Sequence, residues 1–269
     1  MDDDGANGMT ATGTYVYALL RAPRPPRVPR GLRGLPGTGP VRVLPAEDRL
    51  WLLVADAPLA RYGAEAIERG LRDLDWVSAC AVGHETVIER FTSAQALAPM
   101  KLFTLFESDA RAQALIRRDR RRLERTLDRI AGRQEWGVRV LLDERRALAR
   151  ARDRSGRGRP AAKSSGAGFL ARKKAERDAS RRLLADARGA MEPVFAELAK
   201  HADDARQRGP TPPEAGTRLL LDGAFLVPVR GAARFRAAVK RIGQRLEREG
   251  YDIALTGPWP AYSFVAEAP

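Results

Sequence analysis

The 269-residue sequence predicts an α+β protein of two domains. Three observations carry this expectation. The chain is long enough for more than one core, and 44% hydrophobic residues suffice to fill them. Short runs rich in Val, Leu and aromatics alternate with longer stretches whose apolar residues recur every three or four positions. The C-terminal half repeats that alternation in a compact strand–helix–two-strand–helix–strand order.

The elements follow in order. Residues 1–13 are small and acidic and read as a disordered leader. Thr14–Leu20 (TYVYALL) opens an N-terminal α+β domain, 14–108, as a strand. A Pro/Gly/Arg loop separates it from Val41–Asp56, which reads as two short strands around a turn at Pro45. Helical stretches are expected at about 61–74 and 85–98, then a buried strand over Ala98–Ser108. Ser108 is a helix N-cap signal, and 109–134 reads as one long connecting helix. Its buried stripe is Ala112, Leu115, Ile116, Leu123, Leu127 and Ile130. Arginines at 117, 118, 120, 121 and 122 fill the remaining faces. A solvated face is the ordinary reading of such a run. Arg117, Arg118, Arg121 and Arg122 are the candidate partner-contact surface.

The second domain spans 135–269. Glu135–Asp143 alternates as a strand, and a polar linker follows. Phe169 to about Arg208 is helical, with an interruption expected at Pro193. Thr217–Val229 reads as a hairpin turning at Asp222-Gly223, a pair suited to a type I′ turn. A helix stopped by Gly250 and a last strand, Tyr251–Gly257, complete the order βαββαβ. That order predicts a ferredoxin-like sandwich, two helices on one face of a four-stranded antiparallel sheet. An extended tail, 258–269, follows. In it Trp259, Tyr262 and Phe264 have the bulk to pin the chain back onto this domain as a structural lock.

The formal net charge of +14 invites an acidic partner. Nearly all of it is arginine, however, with lysine only at 101, 163, 173, 174, 200 and 240. GC-rich codon usage produces the same bias whatever the function. The single cysteine, Cys80, excludes an internal disulfide and reads as a buried thiol. His84 and His201 have no recognisable partner and read as capping or surface residues. A phosphate loop fails at 157–164, because Arg157 and Ala162 stand where its glycines are required. No catalytic, cofactor or metal site is expected, and no enzyme activity. The RGRP stretch, Arg157–Pro160, matches a minor-groove-binding core and supplies the alternative reading, a DNA-binding protein. No apolar run approaches the roughly 20 residues that span a bilayer, and no secretory leader is visible, so a cytoplasmic protein is expected.

Against these pieces, GPWPAYSFV (Gly257–Val265) is close to the Gly-Pro-Trp-Pro-Pro-Tyr hallmark of the gas vesicle protein F/L family, which the sequence resembles. GAFLVPV (Gly223–Val229), EWGVRV (Glu135–Val140), GAGFLARKK (Gly166–Lys174), YVYALL and LAPMKLFTLF support the resemblance in the expected order. Two departures stand out. Ala261 replaces the second proline of the tail. Lys101-Leu102-Phe103 replaces an Arg-Phe-Gly segment, which loses its glycine. The resemblance implies two α+β domains, the second a modified ferredoxin-like fold. It also implies an accessory role in assembling gas vesicles, the shells that give cells buoyancy, through contact with the small hydrophobic shell protein and other accessory proteins. Nucleic acid is not an implied partner.

Overall fold

The computed structural model describes residues 11–143, 146, 147, 149, 166–209 and 217–265. The chain divides into two compact units, Met1–Gly132 with Pro260–Pro269, and Arg133–Trp259.

Unit 1 is built on a sheet ordered β2-β3-β1-β4, with β5 also paired to β1, and every pairing is antiparallel. Its strands are β1 (Thr12–Arg21), β2 (Arg42–Glu47), β3 (Leu50–Pro58), β4 (Ala96–Pro99) and β5 (Leu105–Phe106). The central strand explains its own sequence. On one face Tyr15, Tyr17 and Leu20 pack with Leu53, Ala55 and with Cys80, Val87 and Ile88 of α3 (Leu74–Glu89). On the other, Thr14 and Arg21 bond Asp109 of α4 (Asp109–Arg118) and Asp128 of α5 (Arg120–Ile130). A strand covered on both faces must be apolar at successive positions, and Tyr15 to Leu20 are each 0% exposed.

Several expectations are corrected here. Pro45 lies within β2 instead of at a turn; the chain reverses at Asp48-Arg49, where Arg49 adopts φ 57°. Since β2 is an edge strand, the missing proline N–H leaves no ladder bond unmade. The helices expected at 61–74 and 85–98 are replaced by the short α1 (Leu59–Tyr62) and α2 (Ala64–Gly70), and by the continuous α3. Asp73 caps α3, its carboxylate accepting from the N–H groups of Asp75 and Trp76 at 3.0 and 3.1 Å. The strand expected over 98–108 is split into β4 and β5 by a turn in which Phe103 adopts φ 67°. The single helix expected over 109–134 breaks at Asp119 (φ −100°, ψ 12°) into α4 and α5, and both belong to unit 1.

Unit 2 is a four-stranded antiparallel sheet, ordered β7-β8-β6-β9. Its strands are β6 (Arg133–Asp143), β7 (Asp204–Gln207), β8 (Thr217–Pro228) and β9 (Tyr251–Trp259). Between them run α6 (Gly166–Gly189), α7 (Met191–Ala199) and α8 (Ala232–Glu249). Trp136, Val138 and Val140 of β6 and Phe225 and Val227 of β8 form one core with Met191 and Leu198 of α7 and Phe235, Ile242 and Leu246 of α8. Gly250 caps α8 at φ 101°, a conformation that costs side-chain-bearing residues dearly.

Asp222-Gly223 is not a turn. Both residues sit mid-strand in β8, opposite Arg139 and Val138 of β6. The Asp222 carboxylate accepts from Arg139 Nε at 3.0 Å and Arg208 Nη1 at 3.2 Å, and Arg208 also bonds the buried Glu135 at 2.6 Å. A Cβ at Gly223 would lie 2.7 Å from the Phe225 ring, so the glycine is a packing requirement instead of a turn signal. The interruption expected at Pro193 is present, three residues before it. The helical break falls at Ala190, and Pro193 occupies the first turn of α7, where its missing N–H has no partner to lose. The helix expected to reach Arg208 stops at Ala199, and β7 follows.

The tail is the largest correction. Trp259 ends β9 in register with Glu135 and is 40% exposed. Pro260 onward then joins unit 1 instead of folding back on the C-terminal domain. Phe264 is 0% and Val265 5% exposed. Tyr262 packs against the α3 core and donates its hydroxyl to Glu85, while Arg129 of α5 donates to the Phe264 carbonyl. The lock is therefore made by Tyr262 and Phe264, with Trp259 outside it. Phe264→Ala is expected to lower stability in urea unfolding by about 3–5 kcal/mol, as for a fully buried aromatic. Trp259→Ala is expected to cost less than about 1 kcal/mol, and the reverse ranking would refute this assignment.

Candidate functional site

Three places in unit 1 are candidates. The first is buried. His84, in the middle of α3 and 4% exposed, places Nε2 3.1 Å from the Met100 carbonyl oxygen and Nδ1 2.8 Å from the Tyr15 hydroxyl. A carbonyl only accepts, so Nε2 carries the proton and Nδ1 accepts from Tyr15. The Tyr15 oxygen in turn accepts from the Phe103 N–H at 3.2 Å. Burial pushes His84 down to about 4 and raises Tyr15. His84 is thus a neutral core residue that pins the 100–104 turn, not the cap or surface residue expected. His201 follows α7 as a half-buried turn residue.

The same network holds Phe103 at φ 67° in the segment where the family pattern has glycine. Its ring lies 5.2 Å from that of Trp76 at an interplanar angle of 7°, and Trp76 stacks on Tyr62 at 6.1 Å. Cys80 is fully buried, 3.9 Å from the Tyr62 hydroxyl, and burial raises its thiol pKa. His84, Tyr15 and Cys80 are all buried. Among the described residues no group of His, Cys, Asp and Glu is placed to hold a metal ion.

The second place is the arginine-rich surface of α4 and α5. Asp119, at the break, pairs with Arg118 at 3.0 Å and Arg122 at 2.7 Å, and these guanidiniums hold its carboxyl below the usual range. The four arginines expected as a contact surface therefore divide. Arg118 and Arg122 are engaged by Asp119, whereas Arg117 and Arg121 are exposed and form no ion pair among the described residues. Arg120 turns to Glu47 and Glu124. Beside it an open cleft of about 310 Å³ is lined by Arg21, Arg49, Arg120, Glu124 and Asp128, with Arg21 paired to Asp128. Its charges largely neutralise one another.

The third place was not expected, because the helix predicted from about residue 85 begins at Leu74. Leu74 is 80% exposed and Val82 64%, with exposed Ser78, Ala79 and Ala81 between them. Leu71, just before the helix, is 54% exposed. From Val77 to His84 this helix carries no charge at all. The RGRP stretch behind the DNA-binding alternative lies outside the described residues.

The molecule is thus a two-sheet α+β protein whose notable features are exposed surfaces and a closed core. Residues 13–266 match the family described as gas vesicle synthesis protein GvpL/GvpF. Gas vesicle protein L of Streptomyces sp. (strain CB03234) is 29% identical over 240 residues, covering 86% of this chain and 85% of that protein. The crystal structure of GvpF from Anabaena sp. PCC7120 superposes with a TM-score of 0.64 at 19% identity, covering 94% of this chain and 96% of its own. GvpF from Microcystis aeruginosa gives the same TM-score at 17% identity, covering 94% and 98%. The chain belongs to the GvpL/GvpF family of gas vesicle proteins. Among the described residues no helix is long and apolar enough to cross a membrane.

His84 makes a pH dependence that can be checked. Its folded-state pKa of about 4 lies below the ordinary 6.5, so the unfolded chain binds the proton first. Stability from this group is complete above about pH 6.5 and is lost as pH falls toward about 4. Relative to His84→Gln, the parent protein is expected to lose about 2 kcal/mol between about pH 7 and pH 5. Parallel stability profiles for the two proteins would rule His84 out as the titrating group.

Proposed function

We propose that this chain is a gas vesicle accessory protein that binds the small hydrophobic shell protein and supports vesicle formation. Family membership supports a gas-vesicle-related role. The observation that carries the finer reading is the outer face of α3. In a chain that is 30% charged, α3 exposes Leu74, Ala81 and Val82, with Asp75 beside them and no charged residue from Val77 to His84. An apolar subunit that self-associates needs such a surface to be held before assembly. Covering one exposed Leu or Val contributes about 1.5–3 kcal/mol. On this reading the protein acts by contact, with no catalytic step.

Unit 2 is read as the modified ferredoxin-like domain of the family. Its β-α-α-β-β-α-β order supports this, as does a sheet whose central pair is its first and third strands. The edge strand β9, paired only to β6 among the described residues, offers a second kind of partner contact, by strand addition.

The test is co-precipitation of separately expressed shell protein with Leu74→Asp plus Val82→Asp. Both side chains are exposed, so the thermal midpoint is expected to stay within a few degrees of the parent. Capture is expected to fall at least tenfold, the equivalent of losing about 1.4 kcal/mol. Undiminished capture with intact folding would move the contact off α3.

A further inference from the structure

We infer that α4 and α5 carry a docking row for an acidic protein segment, formed by Arg117, Arg121 and Arg125. These three exposed arginines recur at four-residue intervals in the sequence: Arg121 and Arg125 lie one turn apart on α5, roughly 6 Å along its rise, and Arg117 stands on the last turn of α4, across the Asp119 break. None forms an ion pair among the described residues, in contrast to their neighbours. Arg118 and Arg122 are held by Asp119, Arg120 by Glu47 and Glu124, and Arg111 lies 3.6 Å from Glu107. The helix surface thus sorts its arginines. Those on neighbouring rows are matched within the fold, and those on one row are left facing solvent.

Like charges one turn apart repel, so Arg121 and Arg125 weaken the helix that bears them. An acidic segment laid along it would relieve that repulsion. Carboxylates one helical turn apart on the partner match the spacing, and guanidiniums favour paired contacts with carboxylates. The row is one side chain wide and bordered by carboxylates of Asp119, Glu124 and Asp128. That border favours a narrow acidic protein segment over a duplex, whose second line of phosphates would meet those carboxylates. The row is chemically distinct from the apolar α3 face, and its occupant does not depend on the shell-binding reading. Unit 1 then carries two docking surfaces of different chemistry.

The test uses the full chain and a labelled oligoglutamate peptide, followed by fluorescence anisotropy at low and raised salt. One variant combines Arg117→Gln, Arg121→Gln and Arg125→Gln. Its control combines Arg111→Gln, Arg118→Gln and Arg122→Gln, which removes the same charge from the matched positions. The row variant is expected to bind roughly tenfold more weakly than the parent, and the control within about twofold. Reversing the row with Arg117→Glu, Arg121→Glu and Arg125→Glu is expected to transfer binding to oligolysine. Equal losses in both triple-Gln variants, or a loss in neither, would overturn the docking row. Tighter binding of an A·T-rich duplex through the same three arginines would overturn the acidic-protein assignment. Because oligoglutamate replaces the shell protein here, failure of one proposal leaves the other standing.

Discussion

Unit 1 depends on a side chain supplied from beyond unit 2. Phe264 is fully buried there, although more than a hundred intervening residues form a separate unit. Two polar contacts fix its approach. Tyr262 donates to Glu85 on α3, and Arg129 on α5 donates to the Phe264 carbonyl. A buried backbone carbonyl left without a donor is costly, so the Arg129 contact does more than add an attraction. The chain leaves unit 1 at Gly132 and returns at Pro260, and β6 and β9, which begin and end unit 2, are paired directly. The second unit is therefore an insertion within the first, not a domain appended after it.

The central sheet of unit 1 has a further consequence for its exterior. Because β1 is covered on both faces, two helical layers are needed, and each has an outer surface of its own. One layer, α3, turns outward the apolar Leu74 and Val82, with Asp75 beside them. The other, α4 and α5, turns outward a row of arginines. Helices pinned by a common strand hold these two chemistries at fixed positions within the same unit.

Much of the architecture was legible in the residues. The apolar run of β1, the alternation in β6 and the Gly250 stop of α8 are local signals that tertiary packing did not oppose. Where reading failed, a longer-range contact had overruled a local preference. Asp222-Gly223 has the composition of a turn, yet Arg139 and Arg208 hold the aspartate and Phe225 fills the space beside the glycine. Pro45 could remain in a strand because that strand is an edge. The start of α3 was missed because its cap, Asp73, lies in a stretch of mixed charge. Its exposed apolar side chains also blur the periodicity that normally marks a helix. Phe103 shows the limit most plainly. The loss of glycine was visible in the sequence, but the left-handed backbone that makes it matter, and the Trp76 stack that accompanies it, belong to the folded chain. The candidate surfaces were legible only in part. The arginine run was evident, whereas its division by Asp119 required coordinates.

Phe264 also sets an order of events during synthesis. A ribosome makes the chain from its N-terminus, so the strands and helices of unit 1 up to Gly132 emerge long before the aromatic residues that complete their core. Every residue of unit 2 is translated in the interval. Throughout that time the nascent first unit exists with its own core incomplete. It becomes whole only after unit 2 has been translated, so any partner that met the chain earlier would meet an unfinished first unit.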